Sequence, residues 1–356
     1  INGYRRKDTG MDRIALQLKD DVKEAYLHWD AFWHGDIIDR PVVCVTSPID
    51  EPTADWYDDN YYSRIHADLD KHVKGVLGNF RKRFYGGEAL PKAFLSFGCD
   101  EIAAFCGGEL CFNPDSLNTN WSVPFVTDWE AALPFVIDDD NPLWQRMLRY
   151  ISKSAETYYG KMLIDPIDFH TNMDLLMAAR GSGTLCMDLL DCPEAIDRAM
   201  ESTLEIFRKV WRETRKAGNG TVSEGATLQC DFSCMISPAM FRRWALPVLE
   251  EEAKEVGRVT YHWDGINALI HTDDIIASHG LYCIAFVPGE GNGTHADYID
   301  LYQRVQSGGK AISVYGPPEM IKRMHKQLNP RLTVYHTETS SRKEAEDLLQ
   351  WFVRNT

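Results

Sequence analysis

The chain has 356 residues, 44% of them hydrophobic and 26% charged, with a formal net charge of −15. That length holds two average domains or one large α/β barrel, which commonly runs to roughly 250 residues plus insertions. The acidic balance argues against nucleic acid as a partner, where a basic footprint is expected, and no apolar stretch is long enough to cross a membrane.

In chain order, the opening segment from Ile1 to Lys7 is polar, shows no signal pattern and is expected to fray. An amphipathic helix around 11–34 leads to the first β-rich run, 41–47. Further runs follow at 92–98, 160–165, 220–225, 258–265, 280–287, 310–315 and 331–336. Helices with clear punctuation lie between most of them. Asp191 and Pro193 open one that continues to about Arg215, Ser237 and Pro238 open another through Leu249, and Ser340 launches the last. Eight strands alternating with helices predict a (β/α)8 TIM barrel with an irregular amino-terminal cap. Its boundaries are 1–356 as one domain, with 1–40 a helical extension. Segment 50–160 holds insertions over the barrel mouth, notably Trp56 to Tyr62 and Cys106 to Trp144. An open doubly wound sheet is the competing fold, but no GxGxxG or GxxxxGK[ST] follows any strand.

The nine cysteines are odd in number and form no CxxC, which reads as reduced thiols in a cytoplasmic protein. Cys99, Cys106 and Cys111 lack zinc-module spacing and are expected to be buried small hydrophobes. The exposed aromatic insertion is compatible with a homodimer without requiring one.

A barrel puts its chemistry at the carboxyl ends of its strands. His262 and Asp264, two apart on one strand, project from the same face. Together with His336 they give two nitrogens and one oxygen, with a fourth position open, as catalytic Zn2+ requires. The bland reading is a His–Asp hydrogen bond tidying a strand end. Glu290, Glu224 and Glu338 are the candidates for base or fourth ligand, although Glu290 lies in a glycine-rich stretch that also suits a plain turn. Asp231 is a further catalytic candidate, its bland reading being to shape the loop before Ser237. For substrate contact the candidates are Tyr261, Cys234, His170, Trp121 and Trp56. Trp263 should face away from His262 by strand alternation.

These residues sit in a pattern that resembles the uroporphyrinogen decarboxylase superfamily, in particular its cobalamin-dependent methyltransferase branch. The likeness rests on MDLLM at 173–177 with Arg180 and Gly181, MDLL at 187–190 and DCPE at 191–194. It continues through DFSCMISP at 231–238 with Phe241 and Pro247, and YHWDG at 261–265. The resemblance implies a single (β/α)8 barrel and a small-molecule substrate. In the methyltransferase branch zinc is held by a His-x-Cys pair and a later cysteine. His262 falls on the histidine, Asp264 on the first cysteine, and His336 or Glu338 near the second. Replacing thiolates by imidazole and carboxylate makes zinc harder and better matched to oxygen. The implied reaction is demethylation of an O-methyl donor in one-carbon metabolism, the methyl group passing to a corrinoid carried by a partner protein. The decarboxylases hold substrate carboxylates with an arginine-rich loop after the first strand. Here that loop, 46–50, has no arginine, so decarboxylation of an acidic tetrapyrrole is not expected. Metal-assisted hydrolysis or lyase chemistry on a small metabolite, and a non-catalytic binding subunit, are the remaining alternatives.

Overall fold

The computed structural model describes residues 13–49, 55–165 and 167–356. The opening segment and Asp50 of the arginine-free loop lie outside the described residues. The strands are β1 (Val42–Pro48), β2 (Arg83–Gly87), β3 (Lys92–Phe94), β4 (Glu109–Asn113), β5 (Ser116–Val123) and β6 (Leu163–Asp165). They continue with β7 (Ala226–Gln229), β8 (Val259–Asp264), β9 (Cys283–Val287), β10 (Ala311–Tyr315) and β11 (Thr333–Glu338). A 7-stranded sheet runs β2-β1-β11-β10-β9-β8-β7, parallel except where β2 lies antiparallel on β1. Strands β3 and β6 form a separate parallel pair, and β4 with β5 forms an antiparallel hairpin.

The architecture is therefore mixed α/β around a mostly parallel sheet, and the hydrogen-bonded sheet is not closed. The expectation of a complete barrel is met in part, for two physical reasons. First, the free edge of β1 is taken by β2, which pairs Cys44 with Gly87 and Pro48 with Arg83. Gly87 has a φ of 57°, and a Cβ there would stand 2.3 Å from the Val43 carbonyl, so only glycine allows this approach. Second, β6 reaches the β7 side through a single bridge, Ile164 with Val222.

Run 220–225 is also displaced from its expected role. The ladder to β8 begins at Ala226, whose N–H donates to the Arg258 carbonyl at 3.1 Å, and pairs Gln229 with His262. At Gly225 the backbone of Arg258 comes so close that a Cβ would meet its carbonyl at 2.6 Å. Glu224 thus falls before β7, at its amino end. Strand β3 stops at Phe94 instead of 98, and the Phe97 N–H is taken by the Glu101 carboxylate at 2.7 Å.

The helices follow their punctuation. Helix Pro193–Ala217 starts with proline in its first turn and buries Ala195, Ile196, Ala199, Ile206, Phe207 and Val210 at helical spacing. It packs against helices Pro142–Tyr158 and Leu246–Val256. Full burial of a side chain such as Phe207 is worth about 1.5–3 kcal/mol. The helix opened by Ser237 is interrupted by a π turn at Phe241–Ala245, just ahead of Pro247, which has no N–H to give to the preceding turn. Segment 50–160 is richer than a set of insertions, since it supplies β2, β3, the hairpin and four helices besides the short Trp129–Ala132 turn. Among the described residues no helix is long and apolar enough to cross a membrane.

Candidate functional site

Strand β8 alternates buried and partly open residues. Val259, Tyr261 and Trp263 pack into the wall, while Thr260, His262 and Asp264 share the opposite face. His262 Nε2 lies 3.9 Å from Asp264 Oδ1, and both side chains are partly exposed. Gly265, with φ of 80°, turns the chain away directly afterwards.

Beside them the chain after β6 and β7 brings Asp168, His170, Gln229 and Asp231. His170 Nε2 is 3.6 Å from Asp168 Oδ1, and its Nδ1 is 3.8 Å from Asp174 Oδ2. Gln229 Nε2 donates to Asp168. The fully buried Asp174 carboxylate accepts the N–H of Asp231 at 3.0 Å and of Phe232 at 2.9 Å, fixing the turn that carries Asp231. Glu101, also fully buried, accepts the N–H of Asp168 at 3.1 Å as well as that of Phe97, tying the chain after β3 to that after β6. Asn172 holds a left-handed φ of 49° in the interior. Its Nδ2 donates to the Gln229 carbonyl at 3.0 Å and to Glu252 Oε2 at 3.4 Å, and Thr171 Oγ1 donates to Glu252 Oε1 at 2.6 Å. Backbone strain of this kind persists where its surroundings fix it, and it clusters at functional sites.

Burial, reinforced by the Asp174 carboxylate, pushes Asp231 up to about 6, against the pull of His170 and His262. Burial alone would lower His170, but Asp168, Asp174, Asp231 and Asp100 outweigh it and raise its affinity for a proton. His170 Nδ1 and Asp231 Oδ1 are buried with no hydrogen-bond partner among the described residues. Cys234 stands in the same field, its thiol raised by burial and by Asp231, Asp264 and Asp174. Titratable groups displaced by burial together with specific charged neighbours are the ordinary mark of acid–base sites.

Asp168 also lines a chamber of about 1050 Å³ walled by residues of β1, β3 and β6 to β11. Four charges meet where the chamber reaches the amino ends of β7 and β8. Arg13 reaches Asp30 at 2.6 Å and Glu224 at 2.9 Å, and Arg258 reaches the same two carboxylates at 2.8 Å and 2.7 Å. On the chamber wall, Lys92 Nζ donates to Asp165 Oδ1 at 2.9 Å. His336 stacks on Tyr315 with ring centroids 4.4 Å apart and planes at 8°. Burial, with Lys92 and His295 nearby, pushes His336 down to about 4 and keeps it neutral at ordinary pH.

The structure thus brings five of the expected residues together: His262, Asp264, Asp231, His170 and Cys234. The other six lie elsewhere. His336 is on β11, separated from β8 in the sheet by β9 and β10, and its charged neighbours are Lys92 and His295. Glu224 is bound to Arg13 and Arg258 at the amino end. Glu290 is exposed in the glycine-rich loop after β9. Tyr261 is wholly buried in the wall. Trp121 is exposed on the hairpin, and Trp56 is exposed under the cationic groups of Lys82 and Arg83, each 5.4 Å from its ring.

Among the described residues no three His, Cys, Asp or Glu side chains are grouped to hold a metal ion. His262, Asp264 and His336 as arranged do not fit a three-ligand zinc, and what the mouth offers is acid–base chemistry. Sequence reasoning missed Asp174, Gln229 and Lys92. Asp174 could have been noticed as an acid amid the otherwise apolar, fully buried run Met173, Leu175 and Leu176.

No protein-family model and no curated protein sequence matches the chain. Among solved structures it is similar to a methyltransferase from Methanosarcina mazei, with a TM-score of 0.63 and 14% identity. The match covers 96% of this chain and 99% of that one. At that identity the likeness is one of fold, and it runs the length of both proteins.

Proposed function

We propose that the chain is a methyltransferase of the uroporphyrinogen decarboxylase-like type, working as a (β/α)8 barrel whose reacting centre is the cluster at the carboxyl ends of β6, β7 and β8. The observation that carries this reading is the placement of Asp231. Asp174 fixes its backbone, its carboxyl is raised into the range where it holds and releases a proton near neutrality, and His262 and His170 lie within its field. Support comes from the full-length fold likeness to a methyltransferase, the motifs from 173 onward, and the chamber that opens beside Asp168.

The chemistry uses these side chains directly. A methyl group bound to a heteroatom passes to a nucleophile presented at the mouth, whose lone pair makes the new bond. The old bonding pair stays on the heteroatom, which takes a proton from Asp231. Delivering that proton as charge develops is worth about 10²–10⁴ in rate. A corrinoid on a partner protein would supply the nucleophile. Met235, Ile266 and Ile270, exposed just after β7 and β8, give the mouth an apolar rim suited to such docking.

The test is to mix the purified chain with free cob(I)alamin and, in turn, methanol, anisole, trimethylamine and dimethyl sulfide, following loss of the cob(I) absorbance. Consumption with at least one donor, dependent on the protein, is expected. Turnover of a donor without any acceptor would contradict methyl transfer and select hydrolysis or lyase chemistry.

A further inference from the structure

The chamber contains an ion pair that belongs neither to the four charges around Arg13 nor to the cluster at its mouth. Lys92 Nζ and Ser223 Oγ both donate to Asp165 Oδ1, at 2.9 and 2.7 Å. Asp165 Oδ2 and two of the three Lys92 hydrogens then have no protein hydrogen-bond partner among the described residues. The side chains are 35% and 32% exposed, and both line the chamber, so this unused capacity is turned inward. An ion pair inside a protein adds little stability over apolar packing. One that keeps a donor and an acceptor side by side against a cavity is arranged to bind.

The rest of the chamber says what it binds. Tyr26, Trp29 and Trp33 come from helix Val22–Trp33, and the stacked Tyr315 and His336 supply a flat wall. An anionic ligand would lose its hydration and find no uncommitted positive charge, because Lys92 is neutralised by Asp165 and Arg13 and Arg258 are paired. A hydroxyl group can donate to Asp165 and accept from Lys92 through one oxygen.

The geometry points to Lys92 and Asp165 as the anchor of an internal subsite for an uncharged, flat, apolar-bodied molecule bearing a hydroxyl group, that is, an alcohol or phenol. This rests on the methyl-transfer reading only in taking the chamber as the ligand's seat.

The test is calorimetric titration of the full chain with phenol, toluene and benzoate. Phenol is expected to bind roughly tenfold or more tightly than toluene, the worth of hydrogen bonds to charged groups, and benzoate more weakly than phenol. The double variant Lys92→Met with Asp165→Leu removes the pair without stranding a charge, and should bind phenol and toluene alike. Retention of the phenol preference in that variant would overturn the assignment. If the variant does not fold, the wild-type series decides: absent phenol binding, equal binding of phenol and toluene, or tighter binding of benzoate each refutes it. Asp231→Asn separates the two readings, since it should abolish methyl transfer and leave phenol binding intact.

Discussion

Asp174 and Asp231 are joined side chain to backbone: the carboxylate of the first accepts the N–H of the second at 3.0 Å and that of Phe232 at 2.9 Å. One acid thereby positions another, and its negative charge also makes the second harder to ionise. Asp174→Asn keeps an acceptor for one of the two turn N–H groups and removes the charge. With Asp231 near 6 in the native protein, activity that needs its proton should fall as pH rises through about 6. In Asp174→Asn that descending limb should move to lower pH, as a pH–rate profile will show. An unmoved limb would mean that Asp231 is not the titrating group.

The two expected histidines should behave differently. His262 belongs to the mouth cluster, and His262→Gln is expected to lower turnover by about a hundredfold. His336 lies on the chamber wall against Tyr315, and His336→Phe should raise KM while changing kcat by less than about tenfold. Steady-state kinetics on both variants check this, and equal losses of kcat would reunite them in one reacting centre.

Glu252 is fully buried and pushed up to about 8 by its desolvation, although Thr171 and Asn172 bond to it. A carboxyl held above its ordinary value binds its proton more tightly when folded. Its stability contribution is therefore complete below the ordinary carboxylate range and is lost as pH rises through about 8. Glu252→Gln removes that loss. Between pH 5 and 8.5 the Tm of the native protein should fall relative to the variant by about 2 °C or more. Parallel Tm curves would show that Glu252 is ionised throughout.

The quartet of Arg13, Asp30, Glu224 and Arg258 is partly solvent-exposed, so each pair is screened. Arg258→Met should cost about 1 kcal/mol, or a Tm fall of about 1–2 °C, and the deficit should shrink in high salt. Thermal denaturation at low and high salt measures both effects.

The strands of the second half were legible because apolar alternation and flanking glycines mark them, and β8 to β11 fall within a few residues of the expected runs. Strand β7 was not, since Val222 is more β-prone than Ala226, and the ladder is set by the approach of Arg258, far away in sequence. Strand β2 has no apolar alternation to mark it and ends in Gly86 and Gly87, which here let it lie against β1. At the site, His262 and Asp264 follow from a two-residue period. Their partnership with His170 and Asp231 depends on loops brought together by Glu101, Asp174 and Glu252, buried acids whose contacts span many residues and leave no local pattern. His336 shows the converse: it ends a strand as expected, but strand order carries it three places from β8.

The central claim is that Asp231 gives up a proton as a methyl group leaves its heteroatom. Its most direct test is the single-turnover rate of cob(I)alamin consumption by Asp231→Asn, measured beside the native protein on an oxygen-bound methyl donor that the native protein accepts. A rate lower by roughly a hundredfold or more is expected, with the Tm and chamber binding retained. An undiminished rate in a folded Asp231→Asn protein would contradict it.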